Sequence, residues 1–455
     1  MLRWAGRHYP ALAEAWECPL RRSALGYRRF RLVDTKIRAR AWFAALFLTA
    51  ILPAAVVQSE DWPWFRGPGR QGISREKDIP VRWNAGSNIR WKTPIPGAGW
   101  SSPIVSGERV FVTTAVEGGS SLRLICLDRR KGTVIWDKEI ARQKAGHKQG
   151  YNSYATSTPA TDGTRIYVPV CDGRVLAVSG DGEVQWSNAD FEYYSEHGLA
   201  VSPVLYEDLV LVAFDGSSPP PTPKVGWQVP WDKAVLLALD KHTGRVRWKG
   251  SRDSSRIAHV TPQIASVEGQ DQLISAAGDV IQGHDLKTGA RLWTVASPGE
   301  GVVPSIVLGE GLVFTASGFG ASRICAVRLG GRGDVTRTHT VWESKEDVPK
   351  IASMLYVAPH LYLATETGVA KCLRAATGEV VWRERLGGKF SASPVWADGK
   401  IYFLAENGKM TVVEDGPAFQ VVAQNELGET CCASPAISQG NLFLRTDKAL
   451  YCIGE

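Results

Sequence analysis

The run Leu236-Leu237-Ala238-Leu239-Asp240-Lys241-His242-Thr243-Gly244-Arg245-Val246-Arg247-Trp248 holds a strand, a tight turn and a second strand. On the way out Val246 and Trp248 alternate with arginine, the period-two pattern of a half-buried strand. Asp240 and Thr243 can hold turn amides with their side-chain oxygens. Gly244 can take the positive φ that closes a bulged hairpin. Trp248 offers a large apolar plate for a neighbouring sheet to bury. The pattern recurs at Asp128 to Trp136 and at Asp285 to Trp293. Arg374 replaces the aspartate ahead of Thr377-Gly378 and Trp382, a shorter turn at Gly180-Asp181-Gly182 precedes Trp186, and a looser copy ends in Trp342. An internal repeat of this kind constrains the fold more than any other sequence signal.

A second marker pairs with the tryptophan. It is a Ser/Thr-Pro, then an apolar strand, a glycine turn and another strand. The copies are Ser102-Pro103, Thr158-Pro159, Ser202-Pro203 and Thr261-Pro262, then Val303-Pro304, Ser393-Pro394 and Ser434-Pro435, with Ser353-Met354 lacking the proline. Proline at a strand start is tolerated because the ladder has not yet formed. Units of about 40 to 60 residues have room for four strands. Four-stranded units repeated radially make a β-propeller. The expected fold is therefore all-β, with eight four-stranded antiparallel blades. The eighth unit stops at Tyr451-Cys452-Ile453, one strand short, while Asn88-Ile89-Arg90-Trp91-Lys92 stands unmatched before the first unit. That N-terminal strand is expected to complete the last blade and close the ring, leaving no open edge. The expected docking residues are Trp91, Trp136, Trp186, Trp248, Trp293, Trp342 and Trp382; the seventh unit has lost its tryptophan near Phe419.

The formal charge of +7 sits entirely in residues 1–59, and residues 60–455 balance. A basic nucleic-acid surface is not supported. Lys36-Ile37-Arg38-Ala39-Arg40 precedes an apolar run from Ala41 to Val57, which reads over 36–59 as an export signal, periplasmic or secreted in destination. A retained membrane anchor is the other reading, for a run at the short end of a spanning helix and broken by Pro53. Residues 1–35 read as a mis-assigned start or an extension outside the fold. The propeller is expected over 60–455.

Several segments fall outside the repeat. Residues 215–233 include a proline run and form a long surface loop containing Trp227 and Trp231. The lead-in from Asp61 to Pro68 is expected to strap the outside of the ring. Cys126, Cys325, Cys372 and Cys452 occupy matching third-strand positions and read as packing residues. His147, His197 and His259 precede three successive inner strands at offsets of 12, 6 and 3 from the following proline, which does not imply a shared metal. Trp100, Tyr154, His259 and Lys389 align near the mouth of the central channel, where ring folds bind ligands.

With Asp240–Trp248 and Asp285–Trp293 matching the tryptophan-docking motif Asp-x-x-Thr-Gly-x-x-x-Trp, the chain resembles the quinoprotein-like, PQQ-like-repeat family of eight-bladed propellers over residues 61–455. Trp62-Pro63-Trp64-Phe65-Arg66-Gly67-Pro68 resembles its secreted members. The family includes dehydrogenases that bind pyrroloquinoline quinone and calcium, and cofactor-free scaffolds such as BamB. The resemblance implies a vicinal disulfide at Cys431-Cys432 if the dehydrogenase reading holds. No calcium ligand set or catalytic base can be aligned. The expectation is an exported, non-catalytic, BamB-like scaffold without cofactor or metal, binding an envelope protein, peptide or polymer. The alternatives are a quinone-dependent alcohol or sugar dehydrogenase and a glycan-binding module, since fold alone does not set function.

Overall fold

The repeated turn forms as its side chains require. In the computed structural model Asp240 Oδ1 accepts the amides of His242 and Thr243 at 3.1 and 2.9 Å and the Thr243 hydroxyl at 3.0 Å. Gly244 closes the turn at φ 71°. Asp285 repeats the arrangement with Lys287 and Thr288, and Gly289 has φ 73°. Where Arg374 stands for the aspartate, the Gly378 amide still reaches the Arg374 carbonyl at 2.8 Å. The backbone turn thus survives loss of the side-chain clamp.

The structure describes residues 60–84, 86–222 and 224–454. The export signal at 36–59 and the extension at 1–35 lie outside them. Among the described residues the strands form eight sheets. Blade 1 runs Ile104–Ser106, Arg109–Val116, Ser121–Asp128 and Val134–Arg142 from centre to rim. Blades 2 to 7 repeat that order through four strands, antiparallel between neighbours. Blade 8 has only Ala436–Ser438, Asn441–Arg445 and Ala449–Ile453 from the C-terminus. Ile89–Pro94 supplies its fourth strand, pairing antiparallel with Trp91 opposite Cys452 and Lys92 opposite Tyr451. The N-terminal strand closes the ring.

The tryptophans join blade to blade. Trp91, Trp136, Trp186, Trp248 and Trp342 each lie on the turn glycine of the next blade, and these five and Trp382 donate Nε1–H to a carbonyl there. Trp91 reaches Arg129, Trp136 reaches Gly180 and Trp186 reaches Lys241, at 2.9 to 3.0 Å. Trp248, Trp342 and Trp382 do the same to Leu286, Ala375 and Gly416. The residue opposite the indole on the third strand is small: Cys126, Ala177, Ala238, Cys372 or Cys452.

Four expectations need correction. Trp293 does not dock on the next blade. Its Nε1 bonds Gln272 Oε1 within its own blade at 2.9 Å, and it lies against Gly283. Blade 5 carries Gly330 to Val335 and a short helical turn, Thr336–His339, in place of the clamped turn, so no platform is offered. Gly333–Asp334 instead adds a fifth, parallel strand to blade 4 beside Trp293, so that blade is not four-stranded. Cys325 is one position out of the cysteine series, opposite Glu343, while Ala326 faces Trp342.

The last correction concerns the lead-in. It does not strap the outside of the ring; it crosses one end of the central channel. Trp62 exchanges backbone bonds with Val105 of blade 1, and the Pro63 carbonyl accepts from Thr161 of blade 2. Arg70 bonds Leu205 of blade 3 and Gln263 of blade 4, and Gln71 bonds Leu308 of blade 5. Arg66 donates to the Met354 carbonyl beside the inner strand of blade 6, at 2.7 Å. Gly72 and Ser74 pair with Trp396 of blade 7, and the Glu60 carbonyl accepts from Ser438 of blade 8. Only a segment on the axis can reach the inner strands of all eight blades. Gly67 at φ 73° makes the bend, where a Cβ would meet the Trp62 ring at 2.6 Å.

Candidate functional site

The Ser/Thr of the second marker proves to be a connector around the channel. The Ser102 amide donates to Thr158 Oγ1 at 2.9 Å, Thr158 to Ser202 Oγ at 3.1 Å, and Ser202 to Thr261 Oγ1 at 3.0 Å. Thr261 continues to Ser305, Ser305 to Ser353, Ser353 to Ser393 and Ser393 to Ser434, at 2.9 to 3.1 Å. The fifth unit therefore contributes Ser305, not Val303, and the proline there lies two residues early, before the hydroxyl instead of after it. Between blades 8 and 1 the buried Arg445 guanidinium takes over, donating to Ser101 Oγ and the Thr113 carbonyl at 2.6 Å each. Each of the accepting hydroxyls keeps its own hydrogen to donate elsewhere.

All eight connectors line a central cavity of about 330 Å³. At one end Phe65 of the lead-in forms part of its lining, so the channel is plugged there. At the other, the loops that precede the inner strands, and those between second and third strands, build the mouth. Trp100, Tyr151 and Trp227 stand there with Phe319 and Ile351. Tyr151 is 60 % exposed, high for so large an aromatic side chain.

The loop holding Trp227 is anchored at its base. Asp215 and Arg252 form an ion pair 1 % and 0 % exposed, and Arg252 also donates to Ser275 Oγ at 2.7 Å. Burial holds the Asp215 carboxyl above its ordinary range, with Arg252 acting against that. Farther along, the Ile257 amide reaches the Gly226 carbonyl at 2.6 Å, and Trp231 exchanges backbone bonds with Ser255. Trp227 then stands edge-on to His197, ring centroids 5.3 Å apart.

Of the residues expected at the mouth, Trp100 and His259 line the cavity. Tyr154 turns aside, donating to the Gly146 carbonyl and covering Gly119. Lys389 is exposed and off the lining. His197 and His259 come together, ring centroids 6.1 Å apart, whereas His147 stands 3.4 Å from Glu196. Burial holds the His259 imidazole down to about 3, with His197 as the lesser cause, and neither of its ring nitrogens has a hydrogen-bond partner among the described residues. Sequence reasoning missed Tyr151 and Phe319; a tyrosine seven residues ahead of Thr158 was a usable signal. Cys432 lines the cavity and Cys431 is buried behind it. Both are thiols here, and burial pushes each up to about 12.

The lining contains neither lysine nor arginine, and its carboxylate, Glu300, is held by Arg256 at 3.3 Å. No group of three or more His, Cys, Asp or Glu that could hold a metal ion occurs among the described residues. Nor does any described helix have the length and apolarity to cross a membrane.

No curated protein sequence matches the chain. Among solved structures it is similar to BamB from Moraxella catarrhalis, at 12 % identity and TM-score 0.51 over 75 % of this chain and 95 % of that one. The computationally designed Ika8 protein is similar at 10 % identity and TM-score 0.58, over 81 % and 100 %. A europium-containing methanol dehydrogenase matches at 12 % identity and TM-score 0.49, over 86 % and 90 %. At identities so low, the first two speak to the fold alone. The sequence profile described as outer membrane protein assembly factor BamB matches residues 81–248 and 332–418, more than half of the chain, and the chain belongs to that family.

Proposed function

We propose that this protein is a non-catalytic binding propeller of the cell envelope, which grips a partner protein with the face carrying the cavity mouth. The observation that carries the reading is the grouping of Trp100, Tyr151 and Trp227 around one concave opening. Tryptophan and tyrosine dominate interface hot spots. The family description, an outer membrane assembly factor, favours the envelope, and the basic and apolar run at 36–59 accords with export. Full-length protein and a Trp100→Ala/Tyr151→Ala variant would be used as baits in envelope extract. The wild type is expected to retain a discrete partner that the variant loses at unchanged melting temperature. Capture of the same proteins by both would overturn the reading.

One observation favours the dehydrogenase alternative: Cys432, preceded by the buried Cys431, lines the cavity. The donor set weighs against it. Pyrroloquinoline quinone is a tricarboxylate, and calcium takes about six to eight oxygen ligands. A lining without cations, whose carboxylate is already paired, fits neither. Mixing with quinone and calcium, then dialysis, is expected to leave no retained chromophore. Stoichiometric retention would revive the alternative.

A further inference from the structure

His259 is the least satisfied polar group at the cavity. It is 7 % exposed, it lines the space, and neither ring nitrogen is hydrogen-bonded among the described residues. Leaving a buried polar group unpaired costs about 1–3 kcal/mol, so its partner is to be sought in the cavity. Thr158, Ser202, Thr261 and the connectors after them accept an amide and retain a donor hydrogen. The lining therefore offers hydroxyl donors and a neutral imidazole, with no free cation and one carboxylate already neutralised. A charged ligand would find no counter-charge. Trp100, Trp227 and Phe319 add flat apolar faces at the mouth.

One ligand chemistry matches hydroxyl-rich edges, apolar ring faces and zero charge together. We infer that the cavity is a binding site for a neutral saccharide, with His259 as a hydrogen-bonding contact and Trp227 as a stacking platform. The cavity of about 330 Å³ is at the small end of ligand pockets, which span about 300–1,000 Å³. It suits a short saccharide or the end of a longer chain. The plug formed by the lead-in leaves the mouth as the way in. This deepens the proposed function by naming what the space behind the binding face takes; it does not depend on the partner's identity.

The test is titration of the full chain with glucose, galactose, N-acetylglucosamine and their short oligomers to millimolar concentrations, followed by tryptophan fluorescence and calorimetry. At least one neutral saccharide is expected to saturate. Trp227→Ala and His259→Phe should each weaken it by about tenfold, at a melting temperature close to wild type for Trp227→Ala. His259→Gln, which keeps a donor and an acceptor, should restore part of the affinity. Lys389→Ala, off the lining, should change nothing. Glucuronate should bind more weakly than glucose. If no neutral saccharide saturates, or if binding ignores Trp227→Ala and His259→Phe, the inference is overturned. Should the partner capture survive that failure, the proposed function stands without it.

Discussion

At the residue scale, two tryptophans of similar sequence appearance do different work. Trp248 is 8 % exposed, packed on Gly289 and bonded to the Leu286 carbonyl. Trp248→Ala should cost about 3–5 kcal/mol, the range for truncating a buried large aromatic. Trp227 is only half-buried, and Trp227→Ala should cost far less. Denaturant unfolding of both variants checks this, and equal losses would mean that the mouth loop is part of the core. His259 makes a pH prediction. An unfolded imidazole titrates near 6.5, the folded one at about 3. Below the unfolded value only the unfolded chain takes the proton. The His259 contribution to stability should be flat above about pH 6.5 and fall by about 1.4 kcal/mol per pH unit beneath it, until about pH 3. His284, lowered to about 4 by burial, adds to the same limb. His259→Phe should therefore make the acid limb shallower without abolishing it. A slope unchanged between about pH 6 and 4.5 would show that the imidazole is not buried.

At the element scale, the clamped turn and the docking indole make one unit shared by two blades. Gly289 lies at φ 73°, and a Cβ there would sit 2.4 Å from the Trp248 ring. Gly269 has a similar φ of 79° with nothing within 4 Å. Gly289→Ala should combine backbone strain of about 1–3 kcal/mol with overpacking of about 1–3 kcal/mol. Gly269→Ala should show the strain alone. Unfolding midpoints separate the two, and equal costs would mean that the indole moves aside freely. This unit was legible in the sequence because turn chemistry and strand alternation are local. What escaped was set by contacts between distant segments. Trp293 carries the full motif, yet its docking failed because the next blade, not its own, lacks the turn. Tyr154 and Tyr151 are three residues apart in one irregular loop, and no periodicity says which of them faces the axis. Ser305 was misread because the proline marker had shifted by two residues, to the other side of the hydroxyl, while the hydroxyl kept its place.

At the scale of the whole molecule, one N-terminal stretch does two separable jobs. Residues 60–76 plug the channel, and Ile89–Pro94 completes blade 8. The seventh blade adds a third dependence. Its outer strand carries Ala423 where a docking tryptophan is expected, and Trp83, 5 % exposed, is buried in the same apolar cluster. The Trp83 backbone amide donates to Asn425 Oδ1 at 2.9 Å, which ties the segment before the closing strand to the outer strand of blade 7. The closing strand was legible because the strand count left one gap and one orphan. The plug was not, because its bonds run to positions scattered over the whole chain. Two truncations separate the jobs. A chain starting at residue 77 keeps Trp83 and the closing strand, so it should still unfold cooperatively, with a channel open at both ends. A chain starting at residue 95 leaves Ala449–Ile453 as an unpaired edge in a three-stranded blade and removes Trp83 from the neighbouring interface. Edges of that kind invite association and fraying. The second truncation should lose amide-exchange protection first at Ala449–Ile453 and melt well below the first. If both truncations melted together with equal protection at the C-terminal strand, closure by Ile89–Pro94 would contribute nothing to stability, and Arg445 with the surrounding apolar packing would suffice to hold the seam between blades 8 and 1.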